Sequence, residues 1–330
     1  MEKTKNSINF KSTIQSLTRN YAIIFVVLVT YLLFTIICRM ALGNNAFNSS
    51  ENTFNMLRQV AIVSVLAAGE FFVIISGMID LSVASTLALS GIFYAMVIKA
   101  GGIALLPVAI LAALAVGLIV GLVNGVVVAQ FHIPPFITTL GMMLIVRGTV
   151  YLVTNSYPIT SLPEGFNYVG RGWLFGLPFP IFIVAIVYIF AILFSEKKRA
   201  GRFMFAVGGN EEAAALSGIN TQKYKMLAYA MCGVISAIAG IIMAGRLDSG
   251  HPNAGLNYEF EAIIAVVIGG VSFSGGKGKA LGVLFGAFFM TMMLNGMTLL
   301  SIDSNIQNVI KGVVFILAIG WDVFRNRSKK

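Results

Sequence analysis

The chain has 330 residues, of which 58% are hydrophobic and only 11% charged, and its mean hydropathy is +0.88. A soluble domain carries about a quarter of its residues as charged ones, so a water-soluble enzyme or binding module is excluded. The net charge of +10 would suit nucleic acid, yet the basic residues sit at the borders of apolar runs, where they face anionic lipid. Membrane lipid is therefore the expected partner, with no nucleic acid.

Apolar runs of about 20 residues, each long enough to cross the hydrocarbon core as a helix, predict ten spans. They are placed at 21–41, 57–78, 82–98, 103–130, 136–153, 180–195, 225–245, 259–272, 281–300 and 306–322. The first is too long for the core of a signal peptide, and no small-x-small cleavage site follows it. The fourth is long and the eighth short, which leaves either open to being broken or tilted. Cys38 and Cys232 both fall inside apolar runs and suit packing better than a disulfide.

Charge placement tests the count. With the N-terminus inside, the inner segments hold Lys3, Lys5, Lys11, Arg19, Lys197, Lys198, Arg199, Arg202, Lys223, Lys225, Lys277, Lys279, Arg325, Arg327, Lys329 and Lys330, sixteen of the 23 basic residues. The outer segments hold only Arg58, Lys99, Arg171 and Arg246. An even count with both termini cytoplasmic satisfies the positive-inside rule. The chain then divides into a cytoplasmic segment 1–20, a transmembrane domain 21–324 with a cytoplasmic loop 196–224, and a basic tail 325–330.

Within the spans, Gly117, Gly121 and Gly125 recur at four-residue intervals, as do Gly282 and Gly286, while Cys232, Ser236, Gly240 and Ala244 share one face of the seventh span. Such stripes let helix backbones approach closely in lipid. Asn124 and Asn295 fall on spans of opposite direction, as an inverted repeat would place them, but the offsets between similar stretches disagree and no repeat is aligned.

Polar residues at membrane depth, Glu70, Asp80, Ser82, Asn124 and Asn295, are the candidates for a pathway or gate. Glu70 lies inside the second span, where an acid either lines a pathway or stays hydrogen-bonded between helices. Asp80 is expected to cap the third helix. Arg147 is expected to snorkel outward from the fifth span. Glu259 and Glu261 suit the dipole of the eighth helix or an outer vestibule. The outer segment 154–178, with Tyr157, Trp173 and Phe175, suits a docking partner and an interfacial belt equally.

One polar stretch interrupts the oily chain. In Gly208-Gly209-Asn210-Glu211-Glu212-Ala213-Ala214-Ala215-Leu216-Ser217-Gly218, Asn210 is a good N-cap, the two glutamates complement the helix dipole and Gly218 supplies a left-handed stop. A thin capped helix of about two turns is expected, either a docking element for a partner's cleft or a plain surface helix. Ala214→Asp is its natural probe.

Nucleotide and catalytic signatures are missing. Ser274-Gly-Gly-Lys-Gly-Lys279 lacks the spacing of a phosphate loop, and His132 and His251 fall on opposite sides of the membrane. No cofactor or metal is expected on this chain, and no catalytic residue.

Taken together, residues 208–220, Tyr258 to Gly270, Gly275-Gly-Lys-Gly278, Asp80-Leu-Ser82 with Ala88 to Gly91, Phe136 to Arg147, and Gly201-Arg202 resemble the permease subunits of bacterial ABC monosaccharide importers of the ribose-permease type. The resemblance covers about residues 15–325. It implies an all-α subunit of the type II importer architecture in the bacterial inner membrane, paired as a homodimer, with an extracytoplasmic sugar-binding protein above. Below would sit a separate ATPase dimer that carries the ATP and Mg, with residues 208–218 as its coupling helix. Glu70, Ala84 and Glu261 depart from the family pattern, which leaves the sugar or polyol open. An ion-coupled secondary transporter using Glu70 as a relay, and importers of nucleosides or branched-chain amino acids, are the alternatives.

Overall fold

The structure is a computed structural model that describes residues 10–327. Expectations for Lys3, Lys5, Lys329 and Lys330 lie outside the described residues.

In chain order the helices are α1 (Phe10–Leu42), α2 (Ser50–Ile75), α3 (Val83–Gly101), α4 (Leu106–Ala129), α5 (Pro135–Thr154), the single turn α6 (Tyr168–Arg171), α7 (Pro180–Lys197), α8 (Arg199–Gly209), α9 (Glu211–Leu216), α10 (Thr221–Leu247), α11 (Tyr258–Ile268), α12 (Ala280–Leu299) and α13 (Ser304–Arg327). Between α6 and α7 a small hairpin pairs β1 (Trp173–Leu174) with β2 (Leu177–Pro178). Local chemistry sets many boundaries. Ser49 caps α2 by accepting from Asn52 N, and Asn220 caps α10 by accepting from Lys223 N. Prolines open α5 and α7, where their missing N–H costs nothing.

Among the described residues nine helical segments are long and apolar enough to span a membrane, and these match every predicted span except the eighth. That one is α11, with 11 residues and so only about 16 Å long. It still carries the chain across. Before it, Gly250 pairs with Ile159 at the end where α5 finishes. After it, Gly276 N donates to Ile75 O at the far end of α2, at 2.9 Å. The remaining depth is crossed by irregular chain whose residues Gly250, Pro252, Ala254, Val271 and Ser272 are buried. Non-helical backbone is tolerated at that depth only when protein covers it. Ten crossings therefore stand, one of them mostly loop.

α2 and α10 form the centre, and α1, α5 and α13 the exposed periphery. The predicted glycine stripes find partners by backbone contact. A Cβ at Gly117 would strike Gly233 O, one at Gly121 would strike Tyr229 O, and one at Gly125 would lie 2.8 Å from Met226 Cα, so α4 lies directly on α10. The stripe predicted on α10 faces elsewhere: Gly240 abuts Leu87 O of α3, and Cys232 abuts Gly69 of α2. On α12, Gly282 and Gly286 receive Gly269 and Ala265.

Candidate functional site

The loop 196–224 folds into two helices, where the sequence suggested one. α8 was missed because its glycines argue against helix, yet Gly201 and Gly208 are required by close packing: a Cβ at either would strike a backbone carbonyl, of Phe194 and Ile75 respectively. Met204 and Val207 bury the same face.

α9 is the capped helix read from the sequence. Asn210 Oδ1 accepts from Ala213 N at 2.9 Å, and Gly218 has φ +79°. Its six residues make under two turns. Glu211 pairs with Lys225 of α10, which pins the helix's first turn. Two expectations change. The helix rests against α8 and α10 rather than standing apart, and Ala214 is only 5% exposed because it faces its own chain. A substitution there would disturb internal packing before it reached any partner. The outward side carries Glu212, Ala213, Ala215 and Leu216. Leu216 is 85% exposed, a large apolar side chain standing in the open.

The root of α9 is locked by glycine. A Cβ at Gly275 would stand 2.7 Å from both Gly208 O and Gly77 Cα, while Gly208 is pressed on Ile75 O and Gly276 on Gly209. Gly77 and Gly275 also have φ of +78° and +82°, a conformation only glycine takes readily. Three chain segments thus meet backbone to backbone: the end of α2, the end of α8 and the loop before α12. The phosphate-like sequence Ser274–Lys279 finds its use here, as the third strand of this knot.

Immediately beyond Gly77 lies the buried polar turn that links α2 to α3. Glu70, Asp80, Ser82 and Asn124 come together there, at 0–2% exposure. Asp80 N donates to Glu70 Oε1 at 3.0 Å. Asp80 Oδ1 accepts from Ser82 N at 2.8 Å and Ser82 Oγ at 2.6 Å. Asn124 Nδ2 reaches Ser82 Oγ at 2.9 Å, and Tyr229 donates from its hydroxyl to Ile79 O at 3.0 Å. The cluster satisfies a turn's backbone where no water could. Asp80 does not cap α3 as expected. Ser82 holds the N-cap position, its hydroxyl turned to Asp80 and Asn124 rather than to the helix's free N–H groups, and Asp80 folds the turn ahead of it.

Asn295 is not part of this cluster. It makes a reciprocal amide pair with Asn52, both bonds 2.9 Å, beside the start of α2. Arg147 does not snorkel. Its guanidinium turns inward and donates to Pro252 O at 2.9 Å, Ala254 O at 3.1 Å and Ala84 O at 3.4 Å, tying down the loop that replaces half of the eighth crossing. Glu259 and Glu261 are both buried, and Lys311 of α13 reaches Glu261 Oε1 at 3.3 Å. Sequence reading had left Lys311 without a role, since nothing in it shows that α11 and α13 are neighbours. On the opposite end, Trp173 packs edge-on to Phe54, with ring centroids 4.6 Å apart, and takes the Arg58 guanidinium over its ring. Phe175 is 89% exposed. Among the described residues no three His, Cys, Asp or Glu side chains gather as a metal site.

An all-helical bundle of ten crossings, with backbone-close packing inside and a capped helix presented at one end, has the build of a membrane permease. Residues 52–319 match the family described as branched-chain amino acid transport system / permease component. The chain belongs to that family and is a multi-pass protein of the inner membrane. It is 42% identical over 277 residues to the ribose import permease protein RbsC of Escherichia coli (strain K12), covering 83% of this chain and 86% of that one. The ribose import permease protein RbsC of Bacillus subtilis (strain 168) is 39% identical over 292 residues, at 88% and 90% coverage. The xylose transport system permease protein XylH of Haemophilus influenzae is 35% identical over 347 residues, at 87% and 92% coverage. No solved structure matches the chain.

Proposed function

We propose that this chain is the membrane-spanning subunit of an ATP-driven importer of a monosaccharide or related polyol. Two copies would form the pathway, a sugar-binding protein would deliver cargo at the Phe175 end, and a separate ATPase dimer would hold the ATP and Mg at the α9 end. That end is cytoplasmic by the positive-inside rule, as are the terminal segments 1–20 and 325–330. The sugar class rests on the names of the relatives, which are import permeases for ribose and xylose.

The observation that carries the reading is α9. A short helix fixed at its root, with Leu216 standing free, suits insertion into a partner's cleft. Residues Gly208, Gly209, Asn210, Glu211, Glu212, Ala213, Ala214, Leu216 and Gly218 form this coupling segment. Its motion would pass to α2 without intervening side chains, because Gly208 lies on Ile75 O and Gly275 on Gly77. Rigid backbone contact transmits displacement where flexible side chains would absorb it. From Gly77 the movement reaches the Asp80–Ser82 turn and, through Glu70 and Asn124, the helices α2 and α4.

The secondary-transporter alternative needs Glu70 as a proton relay. Glu70 instead spends one oxygen on the Asp80 backbone, a structural use that does not require titration. Copurification tests the proposal: the tagged chain, extracted gently from its membranes, should bring down a stoichiometric ATPase. Leu216→Asp should release it while yield and monodispersity hold. Wild-type uptake in that variant would overturn the coupling assignment.

A further inference from the structure

The outward side of α13 is mostly apolar, with Ile306, Val309, Val313, Ile316 and Leu317 exposed, but polar residues interrupt it near its start. Asn305 and Asn308 are exposed, and Lys311 is the eighth residue of the same helix. Ionisable residues within a span almost always face the bundle interior or a water-filled cavity. A cavity of about 280 Å³ lies here between α11 and α13, lined by Asn257, Phe260, Asn308, Lys311, Gly312 and Phe315.

Its chemistry is mixed in a specific way. Phe260 and Phe315 form an aromatic wall, their rings 5.9 Å apart at 68°. The two amides and the ammonium add donors and acceptors to the same lining. Lys311 is already paired with the buried Glu261, so the cavity offers no net charge. A zwitterionic amino acid would meet no free pair of opposite charges. An acyl chain would leave the amides unpaired. A neutral ring that is apolar on its faces and hydroxylated around its rim satisfies both walls.

We infer that the cavity between α11 and α13 is a subsite for the neutral hydroxylated cargo, with Asn308, Asn257 and Lys311 reading hydroxyls and Phe260 and Phe315 taking the apolar ring face. The inference rests on the importer reading above. It gives a use to the polar residues near the start of α13, and to Gly312, where an added Cβ would meet nothing within 4 Å.

The test uses the whole transporter in proteoliposomes, with ribose, xylose and galactose as probes. Asn308→Leu removes hydroxyl readout and should change the ratio of kcat/KM between the best and worst sugar by about tenfold or more, as losing a substrate hydrogen bond does. Gly312→Leu fills the cavity without a clash at Cβ, and should raise KM at least tenfold for whichever sugar is carried. Gly320→Leu, on the same helix but outside the cavity, is the control for bulk and should leave KM within twofold. KM and sugar preference both within twofold in the two cavity variants would overturn the subsite. So would a fall in kcat with KM and preference unchanged, which would mark a moving surface rather than a binding one. If the unmodified chain retains no ATPase and takes up no sugar with ATP, the importer reading fails first and this subsite falls with it, a failure visible before any variant is made.

Discussion

The seam between α4 and α10 and the open side of α13 are both marked by glycines, and the structure uses them in opposite ways. At the seam, Gly117, Gly121 and Gly233 let two backbones touch, and a side chain at any of them would strike a carbonyl. On α13, Gly312 and Gly320 have nothing within 4 Å of where a Cβ would stand. The first set holds the protomer together. The second leaves room beside it, in one place for a cavity. A small residue in a membrane helix signals close approach only where something approaches.

Four substitutions would break or sharpen this contrast. The largest effect belongs to Gly233→Leu, which drives a side chain into Gly117 O at the centre of the bundle. Overpacking of this kind costs about 3 kcal/mol or more, and the expected outcome is loss of the monodisperse protein on size-exclusion chromatography. A folded Gly233→Leu variant would show that the seam is looser than its geometry.

Next comes Gly275→Ala, at the knot where α2, α8 and the loop before α12 meet. The left-handed φ and the 2.7 Å approach to Gly208 O and Gly77 Cα leave no place for a methyl group. Uptake per ATP hydrolysed should fall by about tenfold, equivalent to about 1.4 kcal/mol of coupling. Tight coupling retained would mean that α9 communicates by another route.

Glu70 gives a middle-sized effect with a built-in comparison. Glu70→Leu leaves the Asp80 N–H unpaired and should cost about 1–3 kcal/mol in thermal or denaturant unfolding. Glu70→Gln keeps an acceptor and should lose less. If uptake were abolished in Glu70→Gln at normal stability, the carboxylate would have a transport role beyond holding the turn.

The smallest effect is expected at Gly320→Ala, which should stabilise α13 by up to about 1 kcal/mol through helix propensity alone. A destabilised dimer with an intact monomer would place a second copy on that face, and cross-linking before and after the substitution reads this directly.

Much of the candidate site was legible locally. Asn210, Glu211 and Gly218 announced a capped helix, because capping depends on residues within one turn of each other. The cap bond and the left-handed stop are both present. Which side of that helix is free was not legible: Ala214 and Leu216 differ in exposure through contacts with α8 and α10. Glu70, Asp80, Ser82 and Asn124 could each be singled out as polar residues in oil, but their convergence on one turn spans more than 50 residues of sequence. Asn295 looked like a match for Asn124 and instead belongs to Asn52. Arg147 followed no local rule, since its acceptors are carbonyls of α3 and of the loop before α11, 63 to 107 residues away.

The sequence by itself determined that this is a helical membrane protein, where its spans lie, which end is basic and where the capped helix α9 begins and stops. Those properties follow from hydropathy, charge and capping, which act over one span or one turn. Only the tertiary structure decided that the eighth crossing is a short helix completed by buried loop, that Gly77, Gly208 and Gly275 meet, and that Lys311 closes on Glu261 beside an open cavity. Each of these depends on which helices become neighbours, and in lipid that choice is made by the fit of whole surfaces rather than by any single residue.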